Sequence, residues 1–276
     1  MSRATRALAL ALLALGLSGC TRAALLWANR GLAAHASAVY APRRGLALDV
    51  YRPAATGAPV VVFFYGGGWE WGRREDYRFV GRRLAKAGML AIVADYRTFP
   101  RTRFPGFVED GASAVAWARR HAREYGGDPG RLFVAGHSAG AQIAALLATD
   151  ARYLRARGLR PRDLAGAIGL SGPYDFVIEG GLEPVFGPRA LWPQAQPVRF
   201  VDGDEPPFLL VHGRDDARVE ARDSVELAAA LEARGEPARL LLLDGGGHAA
   251  PLLALYDPAR DPRVLAAIRR FVGAAD

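Results

Sequence analysis

Residues 131–140 read Arg131-Leu132-Phe133-Val134-Ala135-Gly136-His137-Ser138-Ala139-Gly140, and an Ala- and Leu-rich stretch follows to Ala148. Arg131 to Ala135 is a short apolar run ending at a glycine, the pattern of a buried strand, and Ala139 to Ala148 consists of good helix formers. The residues joining them fit G-x-S-x-G where that pattern carries chemistry, with a strand before it and a helix after it. Ser138 must then occupy a tight turn with strained backbone angles. The flanking glycines let strand and helix approach closely, which leaves the hydroxyl exposed at the helix N-terminus. A chance turn of small residues would explain the five-residue pattern but not its flanks.

The same rhythm runs outward in both directions. Pro59 to Tyr65, Met89 to Asp95, Leu164 to Leu170, Phe208 to Val211 and Ala238 to Leu243 read as strands. The first two are unbroken apolar runs, as expected of strands buried on both faces. Leu46 to Tyr51 alternates with period two and reads as an antiparallel edge strand. Helices are expected over Asp76 to Ala87 (closed by Gly88), Gly106 to Tyr125 (stopped by Gly126-Gly127-Asp128-Pro129), Glu220 to Arg234 and Pro262 to Val272. Strands alternating with helices imply an α/β chain whose mostly parallel sheet is flanked by helices on both faces. Gly172 to Pro207 is too long for a plain connection, so it reads as a short insertion, a partial cap.

Two further glycine-rich turns end strands. In Tyr65-Gly66-Gly67-Gly68-Trp69 the glycines expose backbone N–H groups, which an oxyanion forming beside Ser138 would need. Gly67 and Gly68 are the candidate donors, together with the amide of Ala139. The second turn, Gly245-Gly246-Gly247, leads into His248. Of the five histidines, His35 precedes the sheet, His121 lies in a helix and His212 ends a strand. His137, next to Ser138 in the turn, is expected to point away from it. His248 alone follows the last strand, where a base serving Ser138 belongs. The orienting acid must lie between them, at a strand end, and Asp215 and Asp216 compete for the role.

These residues together resemble an α/β-hydrolase esterase, and in particular the carboxylesterases related to bacterial feruloyl esterases and plant prenylcysteine methylesterases. The matching segments are Asp95-Tyr96-Arg97 with Phe99-Pro100, Tyr125 through Gly140, Leu170-Ser171-Gly172-Pro173-Tyr174, and His248 with Asp257-Pro258. The resemblance spans Val39 to Val272. It implies an α/β-hydrolase fold, and it puts the acid on the fifth residue of His-Gly-x-x-Asp, which is Asp216. Asp110 also matches a family position and reads as a structural anchor. One departure is Tyr65, where relatives commonly carry His.

The implied mechanism is acyl transfer from a small ester through Ser138, His248 and Asp216, with Gly67, Gly68 and Ala139 holding the oxyanion. It calls for no metal and no cofactor. The insertion supplies Tyr174, Phe176, Phe186, Leu191 and Trp192 as candidate walls of a shallow pocket for short or compact acyl groups, and Trp69 beside the glycines is a second wall. Amide hydrolysis of an arylformamidase or peptidase type and a non-catalytic envelope protein are the competing readings.

With 276 residues, 51% hydrophobic and 23% charged, the chain can bury a large core, which excludes a disordered or collagen-like protein. Cys20 is the sole cysteine, so an intramolecular disulfide and a cysteine-cluster metal site are excluded. Net charge is +8, and of the 36 basic residues all but Lys86 are arginine. They are scattered among acids without a basic block, which argues against a nucleic-acid partner. Arg3 and Arg6 precede an apolar run of 11 residues, Ala7 to Leu17, too short to span a bilayer. Leu17-Ser18-Gly19-Cys20 resembles the lipobox of bacterial lipoproteins, which implies cleavage before Cys20 and a membrane anchor there. Residues 1–19 are thus expected to be a signal peptide, 20–38 a tether and 39–276 the hydrolase domain. In a Gram-negative cell the destination would be the outer membrane, facing the periplasm. The pattern carries no signature of oligomeric state.

Overall fold

In a computed structural model that describes residue 25 and residues 27–274, eight strands form a single sheet. They are β1 (Ala36–Ala41), β2 (Leu46–Tyr51), β3 (Ala58–Phe64), β4 (Leu90–Ala94), β5 (Gly127–His137), β6 (Gly166–Leu170), β7 (Phe208–Gly213) and β8 (Ala238–Leu243). Their order is β1-β2-β4-β3-β5-β6-β7-β8. β1 and β2 are antiparallel to their neighbours, and the pairs from β4 to β8 are parallel. The helices are α1 (Arg78–Lys86), α2 (Gly106–His121), α3 (Ala139–Thr149), α4 (Ala151–Arg155), α5 (Leu182–Phe186), α6 (Ala221–Ala233), α7 (Ala250–Tyr256) and α8 (Pro262–Val272). Residues 1–19, expected to be a signal peptide, and Cys20 lie outside the described residues.

β3 and β4 are buried at every position. Since side chains alternate between faces, both faces are covered, which is why these strands read as unbroken apolar runs. The elements seen in the sequence form with small changes of boundary. The long helix expected to reach Tyr125 ends as α-helix at His121 and tightens into a 3-10 turn over Ala122–Tyr125. β5 starts at Gly127, ahead of the expected Arg131, because the chain stays paired with β3 through a register irregularity between Pro59 and Val60.

The N-terminal boundary moves further. Leu46 to Tyr51 is not an edge strand, because β1 pairs outside it, Ala36 opposite Val50 and Ala38 opposite Leu48. The sheet therefore begins inside the segment expected to be a tether. β1 is Ala-Ser-Ala-Val-Tyr-Ala, and its small side chains give alternation too weak to read as a strand. Ahead of it, buried Asn29 accepts the Phe79 N–H at 2.9 Å and donates to the Asp76 carbonyl at 2.6 Å, docking Leu25 and residues 27–32 at the start of α1.

Asp110 of α2 is fully buried and receives the Arg97 guanidinium at 2.7 and 2.9 Å, the Arg97 N–H at 3.0 Å and Arg44 at 2.5 Å. It pins the connections around the sheet and lies outside the cavity at Ser138, as an anchor should. Parallel pairing aligns the C-terminal ends of the strands: Phe64 lies opposite Gly136, Gly136 opposite Gly169, and Gly213 opposite Leu243. The loops leaving those ends are brought to one edge, where open α/β sheets bind ligands.

Candidate active site

Ser138 holds φ 54° and ψ −123°, a conformation L-residues adopt rarely, between the end of β5 and the start of α3. The turn can be this tight because of its glycines. A Cβ on Gly136 would lie 2.1 Å from the Gly140 carbonyl oxygen, and one on Gly140 would lie 2.1 Å from the Phe64 oxygen. The Ser138 N–H donates to Leu170 O at 2.9 Å, tying the turn to the end of β6.

The loop after β8 brings His248 over the serine, with Nε2 2.9 Å from Ser138 Oγ. His248 Nδ1 lies 2.7 Å from Asp216 Oδ2. Of the two competing acids, Asp216 is buried and meets the histidine, whereas Asp215 is exposed. Burial alone would raise the Asp216 carboxyl. Hydrogen bonds from His212, His248 and the Val219 and Arg218 N–H groups outweigh burial and hold it well below the usual carboxylate range.

Two histidines outside the expected set complete this arrangement. His212 is fully buried at the end of β7, its Nε2 3.2 Å from Asp216 Oδ2 and 3.0 Å from Val219 O. A carbonyl only accepts, so Nε2 carries the hydrogen and Nδ1 accepts the Ser224 hydroxyl at 2.7 Å. His137 does not turn away. Its ring centroid lies 4.9 Å from that of His248, and its Nε2–H donates to the His248 carbonyl at 3.0 Å. The backbone leaves strand geometry at residue 138, so neighbouring side chains there do not simply alternate between faces. Burial pushes the His137 pKa down to about 3, so the ring is neutral. The sequence signals for both were adjacency, one residue before Ser138 and four before Asp216.

The glycine turn after β3 stands on three tyrosines. Tyr65 stacks between Tyr96, 4.5 Å away between ring centroids, and Tyr77, at 5.8 Å. Tyr96 Oη donates to Tyr65 O at 2.8 Å, and the Gly66 N–H donates to Tyr77 Oη at 3.3 Å. Gly67 has φ 138°, and a Cβ there would sit 2.0 Å from Trp71 O. Its carbonyl accepts the Glu70 and Trp71 N–H groups, both at 3.1 Å. Gly67 and Gly68 border the cavity beside Ser138. Ala139 opens α3, so its N–H has no acceptor within the helix.

That cavity has a volume of about 890 Å³ and two aromatic walls. Trp69, Phe176 and Phe186 contact one another at 4.8–5.5 Å between centroids, and Phe176 and Val177 line the space with Trp69. A second cluster on the lining joins Trp27, Tyr256 and Phe79, with Leu252 among the same lining residues. The insertion does reach over Ser138, through Pro173 to Leu182, but Trp192 is not part of the lining. Its indole N–H donates to Gly187 O at 3.0 Å and its ring lies beneath Arg189, so it closes the insertion's own turn. Tyr174 and Phe186 are fully buried. Trp71, 39% exposed, is a lining residue the sequence reading passed over. Among the described residues no group of three or more His, Cys, Asp or Glu could hold a metal ion.

Comparison with known proteins places this geometry in a family. The chain is 32% identical over 251 residues to an esterase of Mycobacterium tuberculosis, LipC, covering 82% of this chain and 61% of the relative. It is 30% identical over 249 residues to the isoprenylcysteine alpha-carbonyl methylesterase of Arabidopsis thaliana, covering 81% and 58%. The chain thus spans somewhat more than half the length of these relatives. The propionate-bound structure of a thermophilic esterase from Thermogutta terrifontis superposes with a TM-score of 0.75 at 26% identity, covering 89% of this chain and 94% of that one. The BD-FAE model matches residues 48–179 and 182–231, and the chain belongs to that family, with the α/β-hydrolase fold that its esterase relatives share.

Proposed function

We propose that this protein hydrolyses carboxylic esters through an acyl-enzyme on Ser138. The observation that carries the proposal is the continuous line Ser138 Oγ, His248 Nε2, His248 Nδ1, Asp216 Oδ2, with links of 2.9 and 2.7 Å, opening on a cavity whose lining combines aromatic and aliphatic side chains with charged ones such as Asp175, Arg222 and Arg260. In this reading His248 takes the Ser138 proton as Oγ attacks the ester carbonyl. Asp216 keeps the imidazole in the Nδ1–H tautomer and stabilises the imidazolium. The N–H groups of Gly67, Gly68 and Ala139 receive the oxyanion. His248 returns the proton to the departing alcohol, and water repeats the sequence on the acyl-enzyme.

Short or compact acyl groups suit this site. Trp69 and Phe176 form a closely packed wall beside the glycine turn, and the Thermogutta terrifontis esterase has been solved with propionate bound. Export and lipid anchoring at Cys20, with the enzyme held on the cell envelope, complete the proposal and rest on the lipobox-like residues 17–20. Steady hydrolysis of p-nitrophenyl acetate and p-nitrophenyl propionate that disappears in Ser138→Ala is the expected result. Equal rates in the two proteins would remove the mechanism. For the anchor, Cys20→Ala should abolish processing at that site and shift the apparent mass of the product.

A further inference from the structure

The segment ahead of the sheet forms part of the cavity wall, and the fold holds it there. Leu25, Trp27 and Ala28 line the space that Ser138 and His248 open onto. Asn29 fixes the segment to the start of α1 through Phe79 N, Asp76 O and the local Leu25 O. Arg78 Nη1 donates to Leu32 O at 3.3 Å. Trp27 lies 5.9 Å from the Tyr256 ring, which in turn lies 5.9 Å from Phe79, between ring centroids. Arg83 of α1 donates to Leu255 O and Tyr256 O at 2.8 and 2.9 Å, clamping the end of α7. Leu25, Trp27, Ala28 and Asn29, with α1 and α7, therefore form one preorganised surface. Yet Trp27 is 67% exposed and Leu253 of α7 is 43% exposed, both on the cavity lining. Among the described residues Trp27 meets one aromatic ring, that of Tyr256, and most of its surface is open to a ligand.

The chemistry says which part of an ester this surface meets. His248 must hand its proton to the departing alcohol, so the alcohol lies on the His248 side of the carbonyl. α7 begins two residues after His248, and Leu252, Leu253 and Tyr256 continue the lining from there. We infer that Trp27, with Phe79, Leu252 and Tyr256, forms a binding wall for a bulky apolar alcohol group of the substrate ester. The inference rests on the ester-hydrolase reading and names the half of the substrate that reading leaves open. Trp27 acts here in specificity, through contact with the leaving group, and not in the proton transfers.

The test compares two matched substrate series on the purified full chain, its Trp27→Ala variant and its Trp27→Phe variant. In the first series the acyl group stays acetyl and the alcohol changes from ethyl to cyclohexylmethyl. In the second the alcohol stays ethyl and the acyl group changes from acetyl to cyclohexylacetyl. The expected result is that Trp27→Ala lowers the cyclohexylmethyl-to-ethyl ratio of kcat/KM roughly tenfold, the size of effect one apolar contact gives. Trp27→Phe should restore most of the ratio, and the acyl series should keep its own. An unchanged alcohol ratio, or a change confined to the acyl series, overturns the inference. If the wild-type chain hydrolyses neither series, the hydrolase reading fails, and the wall is tested without turnover. Cyclohexylmethyl acetate should then show saturation-transfer NMR contacts with Ser138→Ala that weaken in Ser138→Ala/Trp27→Ala; equal contacts overturn the wall as well.

Discussion

The Ser138–His248–Asp216 group and the walls around it are built by different parts of the chain. Ser138, His212 and His248 sit at or just beyond the ends of β5, β7 and β8, and strand pairing such as Gly213 opposite Leu243 fixes where those ends lie. Each group then has bonded neighbours: His137 on the His248 carbonyl, and His212 and two backbone N–H groups on Asp216. The walls come from chain outside the sheet, Phe176 and Val177 from the insertion and Leu25, Trp27 and Ala28 from the segment ahead of β1. Val177 is 73% exposed and Trp27 67% exposed, whereas Asp216 is 6% exposed. Proton transfer needs sub-ångström placement, which a sheet can impose, and substrate choice needs surface that can change without disturbing it.

The largest effects should come from the centre. Ser138→Ala and His248→Ala should each lower kcat by about 10⁴- to 10⁶-fold, and the double variant should be little worse than either single one. Additive losses in steady-state kinetics would mean that the two groups do not act as a unit. Asp216→Asn should cost about 10³- to 10⁴-fold, because an amide cannot hold the imidazolium. Asp215→Asn, on an exposed side chain beside it, should stay within about threefold. The reverse ranking would break the assignment of the acid.

Wall substitutions should move selectivity by a smaller amount. Phe176→Ala opens the space beside Trp69 and should shift the acyl-length optimum upward, changing the ratio of kcat/KM for hexanoate over acetate roughly tenfold. An unchanged acyl profile in a p-nitrophenyl ester panel would place the acyl group elsewhere. Tyr77→Phe removes the acceptor of the Gly66 N–H and should lower kcat severalfold while KM changes less, since about 1 kcal/mol rides on such a bond.

The last effect falls on stability and not on turnover. Burial holds the His137 pKa at about 3, against 6.5 for an ordinary histidine. As pH falls from 6.5 towards 3, the unfolded chain takes up a proton there that the folded chain refuses, so the folded state loses stability at up to about 1.4 kcal/mol per pH unit. His137→Phe should lack this loss and show a flatter stability profile over that window in urea denaturation. Asp216 acts at lower pH, because its folded carboxyl lies below the ordinary range and its contribution fades only below about pH 4. Parallel profiles for wild type and variant between pH 6 and 4.5 would show that His137 is not held neutral by burial.

Much of the centre was legible as sequence because its signals are local. A strand run, a five-residue turn and a helix run around Ser138 need no knowledge of the rest of the chain, and chain order then selected His248. The choice of Asp216 over Asp215 came from the family pattern and not from spacing, since adjacent residues in a turn have no intrinsic ranking. The walls were less legible. Trp192 and Phe176 look alike as aromatics in one insertion, and only the path of the insertion decides that Phe176 faces Ser138 while Trp192 bonds to Gly187.

The sequence alone therefore determined the α/β alternation, the strained serine turn, the glycine turn after β3 and the identity of the histidine, because periodicity and steric demand act within a few residues. Only the tertiary structure decided that His137 grips the His248 carbonyl, that His212 shares the Asp216 carboxylate, that Ala36–Ala41 joins the sheet and that Trp27 lines the cavity at Ser138. Each of those depends on contacts between segments far apart in the chain, whose meeting is set by how the whole sheet and its helices pack.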